Sequence, residues 1–188
     1  MTNQIQKATQ VLRSGGVVIY PTITVYSLGA NIFDKEAIKK VVKLKESSLP
    51  NPIPIMVNSF QLAETLAYIG GDMAVLRQLW PGSTTVLLPR KANLSPELVD
   101  NQGRVALRFS DNPAREIIQE TGFAITALPA FDSNGFLIVQ PNKVDRSVDF
   151  IVQGICQFAD LSTIIDLTER KIIRSGVEVE KVKTILQI

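Results

Sequence analysis

The stretch VVIYPTITVYSLGAN, residues 17–31, begins like a buried β-strand and then changes character. Its first residues form an apolar run that ends at Pro21, too short for a helix and typical of a strand inside a sheet. Three hydroxyl side chains follow among apolar neighbours, at Thr22, Thr24 and Ser27. Two interpretations are open: these hydroxyls bond to nearby backbone in a turn, or they line a ligand pocket just past a strand end.

The remainder of the chain alternates between helical and strand patterns. Apolar spacing and capping residues predict helices in residues 2–14, 34–45, 59–66, 72–80, 111–120, 145–154 and 177–188. Short apolar runs predict strands in residues 17–21, 53–57, 84–89, 104–109, 123–128, 163–168 and 171–176, the last two as a hairpin. Prolines place the strand at 53–57 at a sheet edge or at a strand start. The pattern predicts a single α/β domain over residues 1–188, with a mixed β-sheet flanked by helices.

Composition excludes several kinds of active site. The 188 residues contain no histidine and one cysteine, Cys156, and carry a net charge of +2. A disulfide within the chain, a Cys- or His-rich zinc site and a histidine-dependent nucleophile are therefore impossible. The net charge is too small to indicate a nucleic-acid-binding protein by itself, and the sequence leaves open whether basic residues cluster on one face. With neither a signal-peptide core nor an apolar run long enough for a membrane span, we expect a cytoplasmic protein.

Polar clusters interrupt the apolar pattern in loops and at strand ends, where open α/β sheets usually bind ligands. Besides the opening stretch, they occupy residues 43–52, 80–88, 106–113 and 162–176. Arg108 is the most informative member, because its neighbours Leu107 and Phe109 are apolar. By alternation its side chain shares a face with Ala106, and it points either to water or to a ligand.

The other clusters also have structural explanations. Lys43 and Lys45 stand at the end of a predicted helix, where the helix dipole favours positive charge, and Pro81–Gly82 is a common turn sequence. Ser162–Thr163 can cap a turn, and Asp166 and Arg174 can form an ion pair at the surface.

Taken in order, the clusters resemble the YrdC-like family. The motifs that carry the resemblance are GGVVIYPTITVYSLGAN, KLKESSLPNP, LWPGSTTVLL, VALRFSDNP, GFAITALPAFDSNG and STIIDL with IIRSG, which together span about residues 2–176. The resemblance implies a twisted mixed sheet with a concave ligand-binding face. It also implies a nucleotidyltransferase that makes threonylcarbamoyl-AMP from L-threonine, bicarbonate and ATP, for modification of an adenosine in tRNA. ATP is then a substrate that carries Mg²⁺, and no tightly bound cofactor or protein-held metal is expected.

The same resemblance assigns roles to individual residues. Lys45 and Arg108 match catalytic basic residues, and Lys45 faces the nucleotide phosphates in the family. The implied threonine-binding residues are Thr22, Ser162 and Thr163, and the implied nucleotide-binding residues are Lys45, Thr85, Ser133 and Arg174.

Several positions depart from the family pattern. An acid is replaced by Ile23, a glycine by Ser27, an arginine by Ser47, a lysine by Asn51, and a serine and an asparagine by Pro129 and Phe131. Basic residues available to compensate are Lys43, Arg90, Lys143 and Arg146. The departures keep a second hypothesis open, a catalytically degenerate member that binds double-stranded RNA, tRNA or a nucleotide. The sequence leaves the oligomeric state undetermined.

Overall fold

The computed structural model describes residues 2–46, 49, 51–109, 113–144 and 147–188. Within them the α-helices are α1 (Thr2–Arg13), α2 (Lys35–Leu44), α3 (Phe60–Leu66), α4 (Met73–Leu79), α5 (Pro113–Thr121) and α6 (Val179–Leu186). The strands are β1 (Val18–Pro21), β2 (Tyr26–Gly29), β3 (Ile55–Val57), β4 (Thr85–Pro89), β5 (Arg104–Phe109), β6 (Ile125–Thr126), β7 (Leu128–Pro129), β8 (Phe150–Ile151), β9 (Ile164–Asp166) and β10 (Lys171–Arg174). The predicted α/β class is confirmed.

The strands form two sheets, where the sequence predicted one. The smaller sheet has the order β7-β2-β1-β8, and the larger has the order β10-β9-β4-β5-β3-β6. Both are mixed: β1 is antiparallel to β2 and parallel to β8, while β5 is antiparallel to β4 and parallel to β3. The prediction of mixed pairing is confirmed. The division was not predicted because alternation shows which face of a strand is buried, not which sheet it joins.

Helix packing follows the apolar stripes in the sequence. Ile5, Ala8 and Leu12 recur along one side of α1, are buried, and belong to a core cluster that α5 and β1 also share. The start of α2 is fixed by Asp34, whose carboxylate accepts the first backbone N–H groups of the helix. No helix in the described part of the chain combines the length and apolarity needed to cross a bilayer.

Strand β5 positions the site. Its residues Val105, Leu107 and Phe109 pack in the main core, and a fully buried side chain of this kind contributes roughly 1.5–3 kcal/mol. Ala106 lies on the opposite face, in a small buried cluster with Leu87 and Ile164. This second face of the larger sheet is therefore buried as well. The next residue of β5 on that face, near the end of the strand, is Arg108.

Strand β3 begins directly after Pro54, as the proline pattern predicted. It is not an edge strand, because it pairs with β5 on one side and with β6 on the other. The prolines precede the paired residues and therefore remove no hydrogen bond from the ladder.

The strand predicted over residues 123–128 is divided between the two sheets. β6 pairs with β3 in the larger sheet, and β7 pairs with β2 in the smaller. At the crossing, Thr126 Oγ1 donates to Leu28 O at 2.8 Å and accepts from Ala30 N at 3.0 Å. This hydroxyl ties the two sheets together where the chain changes partner.

The helix predicted over residues 145–154 is wrong. Residues 145 and 146 lie outside the described residues, and the following segment forms β8, which runs parallel to β1. The N–H of Val152 then donates to Ile19 O at 2.8 Å. The apolar run at 150–152 is buried by strand pairing, which short runs do not distinguish from a helical face. The predicted start of α5, Asp111–Asn112, also falls outside the described residues.

Candidate active site

The turn after β1 is organised by the hydroxyl of Thr22. Thr22 Oγ1 donates to Val25 O at 2.7 Å, and it accepts the N–H groups of Thr24 and Val25 at 3.2 and 3.3 Å. Its distance to Thr24 Oγ1 is 3.0 Å, and both threonines are fully buried. The turn interpretation is therefore correct for Thr22. The same turn places Thr24 in the wall of a cavity.

Arg108 is buried at the end of β5, with 4% of its surface exposed. Strand register sets it beside Thr85 of β4 and Met56 of β3. Neither Nε nor Nη2 of Arg108 has a hydrogen-bond partner among the described residues. The alternative that Arg108 points to water is wrong, because the sheet face that carries it is covered.

Electrostatics make Arg108 an unusual group. Burial is the main cause that lowers the pKa of Arg108 to about 10, with Arg174 lowering it further and Tyr20 acting in the opposite direction. Burial also raises the pKa of Tyr20, so this neighbour is a neutral phenol at physiological pH. Arg108 is therefore a buried cation at neutral pH. A cation without a partner is costly to bury, and an anionic ligand relieves that cost.

A hydroxyl cluster lies beside this cation. Arg174 in β10 donates from Nη2 to Ser162 O at 2.9 Å and to Ser162 Oγ at 3.1 Å. Ser162 Oγ lies 2.9 Å from Thr85 Oγ1. Burial lowers the pKa of Arg174, and the nearby Asp160 raises it. These contacts fix both the serine hydroxyl and a second guanidinium at the edge of the cavity.

The backbone behind the cluster is closely packed. Thr163 Oγ1 donates to Val177 O at 2.8 Å and accepts from Gly176 N at 3.1 Å. A Cβ on Gly176 would lie 2.3 Å from Leu161 O, so a larger residue does not fit without a shift of the backbone. The turn at residues 174–176 therefore holds Ser162 and Thr163 in place.

The cavity is small, about 20 Å³, and is partly open to solvent. Its lining comprises Thr24, Val25, Leu49, Pro52, Pro54, Arg108, Ala127, Leu128, Pro129, Ser162, Ile164 and Arg174. These described residues supply two guanidinium groups, two hydroxyls and an apolar wall, but no carboxylate. Such a lining suits a small ligand with an anionic group and an apolar portion.

Three of the side chains predicted for the site line this cavity: Arg108, Ser162 and Arg174. Three more contact a lining residue without reaching the cavity. They are Thr22, bonded to Thr24; Thr85, bonded to Ser162; and Lys45, whose Nζ donates to Leu49 O at 2.6 Å.

The other two predicted residues are placed differently. Thr163 is bonded to the backbone at Gly176 and Val177, and Ser133 is exposed on the turn that follows β7, outside the lining. Three of the basic residues considered as replacements, Lys43, Arg90 and Lys143, also lie outside the lining.

Positions that depart from the family pattern are spread around the site. Pro129 lines the cavity, Asn51 is exposed, and Phe131 bridges to Leu137 in a short hairpin. Ile23 contributes its carbonyl oxygen, which accepts from the N–H groups of Gln157 and Phe158. Ser27 is buried, with no hydroxyl partner among the described residues. Ser47 and Arg146 lie outside the described residues.

The proposed surface pair between Asp166 and Arg174 is wrong. Asp166 is fully buried and accepts from Arg104, while Arg174 is bonded to Ser162. The two residues belong to adjacent strands, but Asp166 pairs in register with Lys171, so Arg174 lies at the other end of the hairpin.

The family resemblance assigned no role to Thr24 or to the proline wall, although all of these residues line the cavity. Thr24 was noted only as one of three hydroxyls. The pattern placed Pro52 at the end of the polar loop 43–52 and Pro54 at a strand start, and both line the cavity. A signal for Thr24 existed in its spacing: two residues after Thr22 in a tight turn, two hydroxyls come close enough to bond.

Comparison with known proteins identifies the family. A family model for Sua5, YciO and YrdC proteins, described as "Telomere recombination", matches residues 10–176. The chain belongs to this family.

Relatives of this Sua5–YciO–YrdC chain differ in length. A threonylcarbamoyl-AMP synthase of Bacillus subtilis is 36% identical over 156 residues, which cover 81% of this chain and 45% of that protein. A threonylcarbamoyl-AMP synthase of Histophilus somni is 29% identical over 185 residues, covering 92% of this chain and 99% of that protein. The crystal structure of Pyrococcus abyssi Sua5 complexed with L-threonine superimposes with a TM-score of 0.86 at 29% identity, over 96% of this chain and 56% of that chain. The chain thus spans about half the length of the Bacillus and Pyrococcus relatives.

Proposed function

We propose that the chain synthesises threonylcarbamoyl-AMP from L-threonine, bicarbonate and ATP, with release of pyrophosphate. The observation that carries this proposal is Arg108, a buried guanidinium with two unpartnered nitrogens in a cavity that contains no acid among its described lining residues. The relatives named as synthases and the threonine complex of a related structure support the choice of substrate.

The residues of the cavity fit the chemistry of this reaction. The carboxylate of L-threonine is an anion that Arg108 can bind through two parallel N–H donors. The methyl group of threonine fits the wall formed by Pro52, Pro54 and Pro129. Adenylyl transfer depends on positioning and on neutralising phosphate charge, so it requires no histidine or covalent nucleophile.

We assign the nucleotide to the open side of the same cavity. Arg174, which lines the cavity, and Lys45, which bonds to the lining residue Leu49, supply positive charge toward the phosphates, with Mg²⁺ entering as the complex of ATP. Bicarbonate then meets the threonine amino group between the two substrates. In this proposal residues 1–188 act as one domain in the cytoplasm, and their product serves the threonylcarbamoyl modification of tRNA.

An assay of pyrophosphate release tests the proposal. Purified protein with ATP and Mg²⁺ is expected to release pyrophosphate only when L-threonine and bicarbonate are both present. Arg108→Ala is expected to lower the rate by about a hundredfold or more, the usual cost of losing a charged contact in a transition state. Release that is independent of threonine, or equal in the wild-type and Arg108→Ala proteins, contradicts the proposal.

A second candidate function is binding without turnover, and Pro129 favours it. This residue gives the cavity an apolar wall where the family pattern has a serine, and proline has neither a side-chain hydroxyl nor a backbone N–H. A protein of this kind binds L-threonine, a nucleotide, double-stranded RNA or tRNA but releases no pyrophosphate. RNA binding whose affinity falls steeply as salt rises, measured beside a silent pyrophosphate assay, supports this candidate.

A further inference from the structure

A second pocket lies at the end of β4 opposite to the cavity around Arg108. It has a volume of about 400 Å³, within the range of small-ligand sites. Arg90, which lines it, directly follows β4, whereas Thr85 begins the strand beside Arg108. The length of the strand separates these two ends by roughly 16 Å. The pocket and the cavity share no lining residue, so they are different sites.

The second pocket carries positive charge that no acid of its lining neutralises. Lys35 and Arg90 are exposed lining residues, and neither forms an ion pair within the described part of the chain. The acids on either side of Lys35 are engaged elsewhere, because Asp34 accepts the first N–H groups of α2 and Glu36 pairs with Lys39. The pocket therefore offers two cations to an anionic ligand.

An aromatic ring lies beside these cations. Phe33 lines the pocket, and 58% of its surface is exposed. The turn that carries the ring is fixed, since Asn31 Oδ1 accepts the N–H of Phe33 at 3.0 Å and Asn31 O accepts that of Asp34 at 3.2 Å. The buried side chains of Ile32 and Leu94 add apolar surface to the lining. The pocket thus presents a preformed aromatic face next to two cations.

We propose that this pocket is a second nucleotide-binding site, with the base stacked on Phe33 and the phosphate held by Lys35 and Arg90. Every base offers a π-face to an aromatic ring, and a guanidinium group recognises phosphate through two parallel N–H donors. Asn93, also in the lining, supplies an amide that can bond to a base edge. An anion without a ring would use the cations and leave the aromatic face uncovered. The inference goes beyond the proposed function, which uses a nucleotide only in the cavity around Arg108.

Nuclear magnetic resonance titration with uridine 5′-monophosphate (UMP) tests the inference. The backbone amides of Phe33, Lys35 and Asn93 report binding in this pocket, so a nucleotide bound in the distant cavity does not obscure the result. Two partial ligands separate the two halves of the site: uridine lacks the phosphate, and ribose 5-phosphate lacks the base. Each is expected to bind at least about fivefold more weakly than UMP, because each loses one of the two contacts.

Matched variants assign the contacts. Phe33→Leu keeps an apolar side chain but removes the aromatic face, and it is expected to weaken UMP binding by about fivefold to a hundredfold. Phe33→Tyr keeps the ring and should bind UMP as the wild type does. Lys35→Gln and Arg90→Gln are expected to weaken binding at low salt, and by a smaller factor at high salt. Lys39→Gln is the control, since Lys39 is an exposed lysine one turn along α2 and outside the lining.

Three results would overturn the inference. The first is that UMP leaves the amides of the pocket unshifted, and the second is equal UMP affinity of the wild type and Phe33→Leu. The third is a loss of binding in Arg174→Ala but not in Arg90→Gln, which would place the nucleotide in the cavity around Arg108. If Phe33→Leu does not give a cooperative thermal transition, Phe33→Ala replaces it with the same expected loss.

Two further measurements identify the source of the nucleotide and separate this site from catalysis. A uridine hexanucleotide that binds more tightly than UMP, with the same pattern among the variants, identifies an RNA chain as the source, and equal affinity identifies a free nucleotide. Phe33→Leu is expected to release pyrophosphate at the wild-type rate. A silent pyrophosphate assay in the wild type therefore contradicts the proposed function alone, and unshifted pocket amides contradict this inference alone.

Discussion

Arg104 and Arg108 lie on the same face of β5, yet among the described residues only Arg104 has carboxylate partners. Arg104 Nε donates to Asp100 at 2.7 Å, and its Nη1 donates to the buried Asp166. Arg108 is more deeply buried, with Nε and Nη2 unpartnered among the described residues. The first arginine is part of a buried ion-pair network, whereas the second is the residue to which the proposed function assigns the anionic group of the substrate.

Replacing Arg108 by a neutral side chain should stabilise the free protein. Arg108→Met keeps much of the volume but removes a buried cation with unsatisfied donors, whose cost is about 1–3 kcal/mol. The free energy of unfolding in urea is expected to rise by about that amount at neutral pH. Because the pKa of Arg108 is about 10, the charge and its cost persist from pH 6 to 8. A less stable Arg108→Met protein contradicts this explanation.

Removing Arg104 should have the opposite effect on stability. Arg104→Ala leaves the fully buried Asp166 without its cation, and breaking such a pair costs about 3–5 kcal/mol. Urea unfolding measures the loss. Lys39→Ala is the control, since its pair with Glu36 is exposed, and the change there is expected to stay below about 1 kcal/mol. Equal effects of the two substitutions would show that the Arg104 pair is not structural.

Arg174 should not be replaceable by lysine. The guanidinium donates to both the carbonyl and the hydroxyl of Ser162, a geometry that an ammonium group does not reproduce. We expect Arg174→Lys and Arg174→Ala to lower kcat/KM for pyrophosphate release by similar factors, about tenfold to a hundredfold. Lys171→Ala, an exposed neighbour on β10, should leave kcat/KM unchanged. Full rescue by lysine would show that charge alone matters.

Acid should weaken the attachment of α6 through Glu178. A hydrogen bond from Ser83, opposed in part by desolvation, lowers the pKa of Glu178 below 4.5, and Lys181 acts in the same direction. A carboxyl whose folded pKa is lowered stabilises the fold above its unfolded value and loses that contribution as pH falls through the folded value.

Glu178→Gln should therefore cost stability at pH 7, by about 1 kcal/mol, and progressively less below pH 4.5. Urea unfolding at several pH values measures the difference. Glu180→Gln is the control, because the partner of Glu180 among the described residues is the surface side chain of Lys183. A difference between wild type and Glu178→Gln that does not change with pH would contradict the assignment.

The sequence predicted those parts of the fold that depend on local pattern. The stripe of Ile5, Ala8 and Leu12 predicted α1, and Asp34 predicted the start of α2. The division of residues 123–128 between two sheets was not predictable, because the change of partner is set by the contacts of Thr126 with a distant strand. The apolar residues of β8 likewise fit either a short strand or a helix until β1 is known to lie beside them.

The same distinction between local pattern and long-range packing applies to the candidate site. Motif position predicted Arg108, Ser162 and Arg174, which all line the cavity, but whether Arg108 faces water or a cavity depends on the elements that cover β5. The turn-forming role of Thr22 likewise required distances, because the 2.7 Å contact between Thr22 Oγ1 and Val25 O shows that its hydroxyl bonds to the backbone.

The central claim is that the cavity around Arg108 joins threonine, bicarbonate and ATP. Its most direct test is to incubate the wild-type protein with radiolabelled bicarbonate, L-threonine, ATP and Mg²⁺, and to separate the nucleotides by chromatography. We predict a labelled adenylate that disappears when threonine is omitted and that Arg108→Met does not form. A wild type that consumes no ATP and yields no labelled adenylate, while binding L-threonine, contradicts the claim.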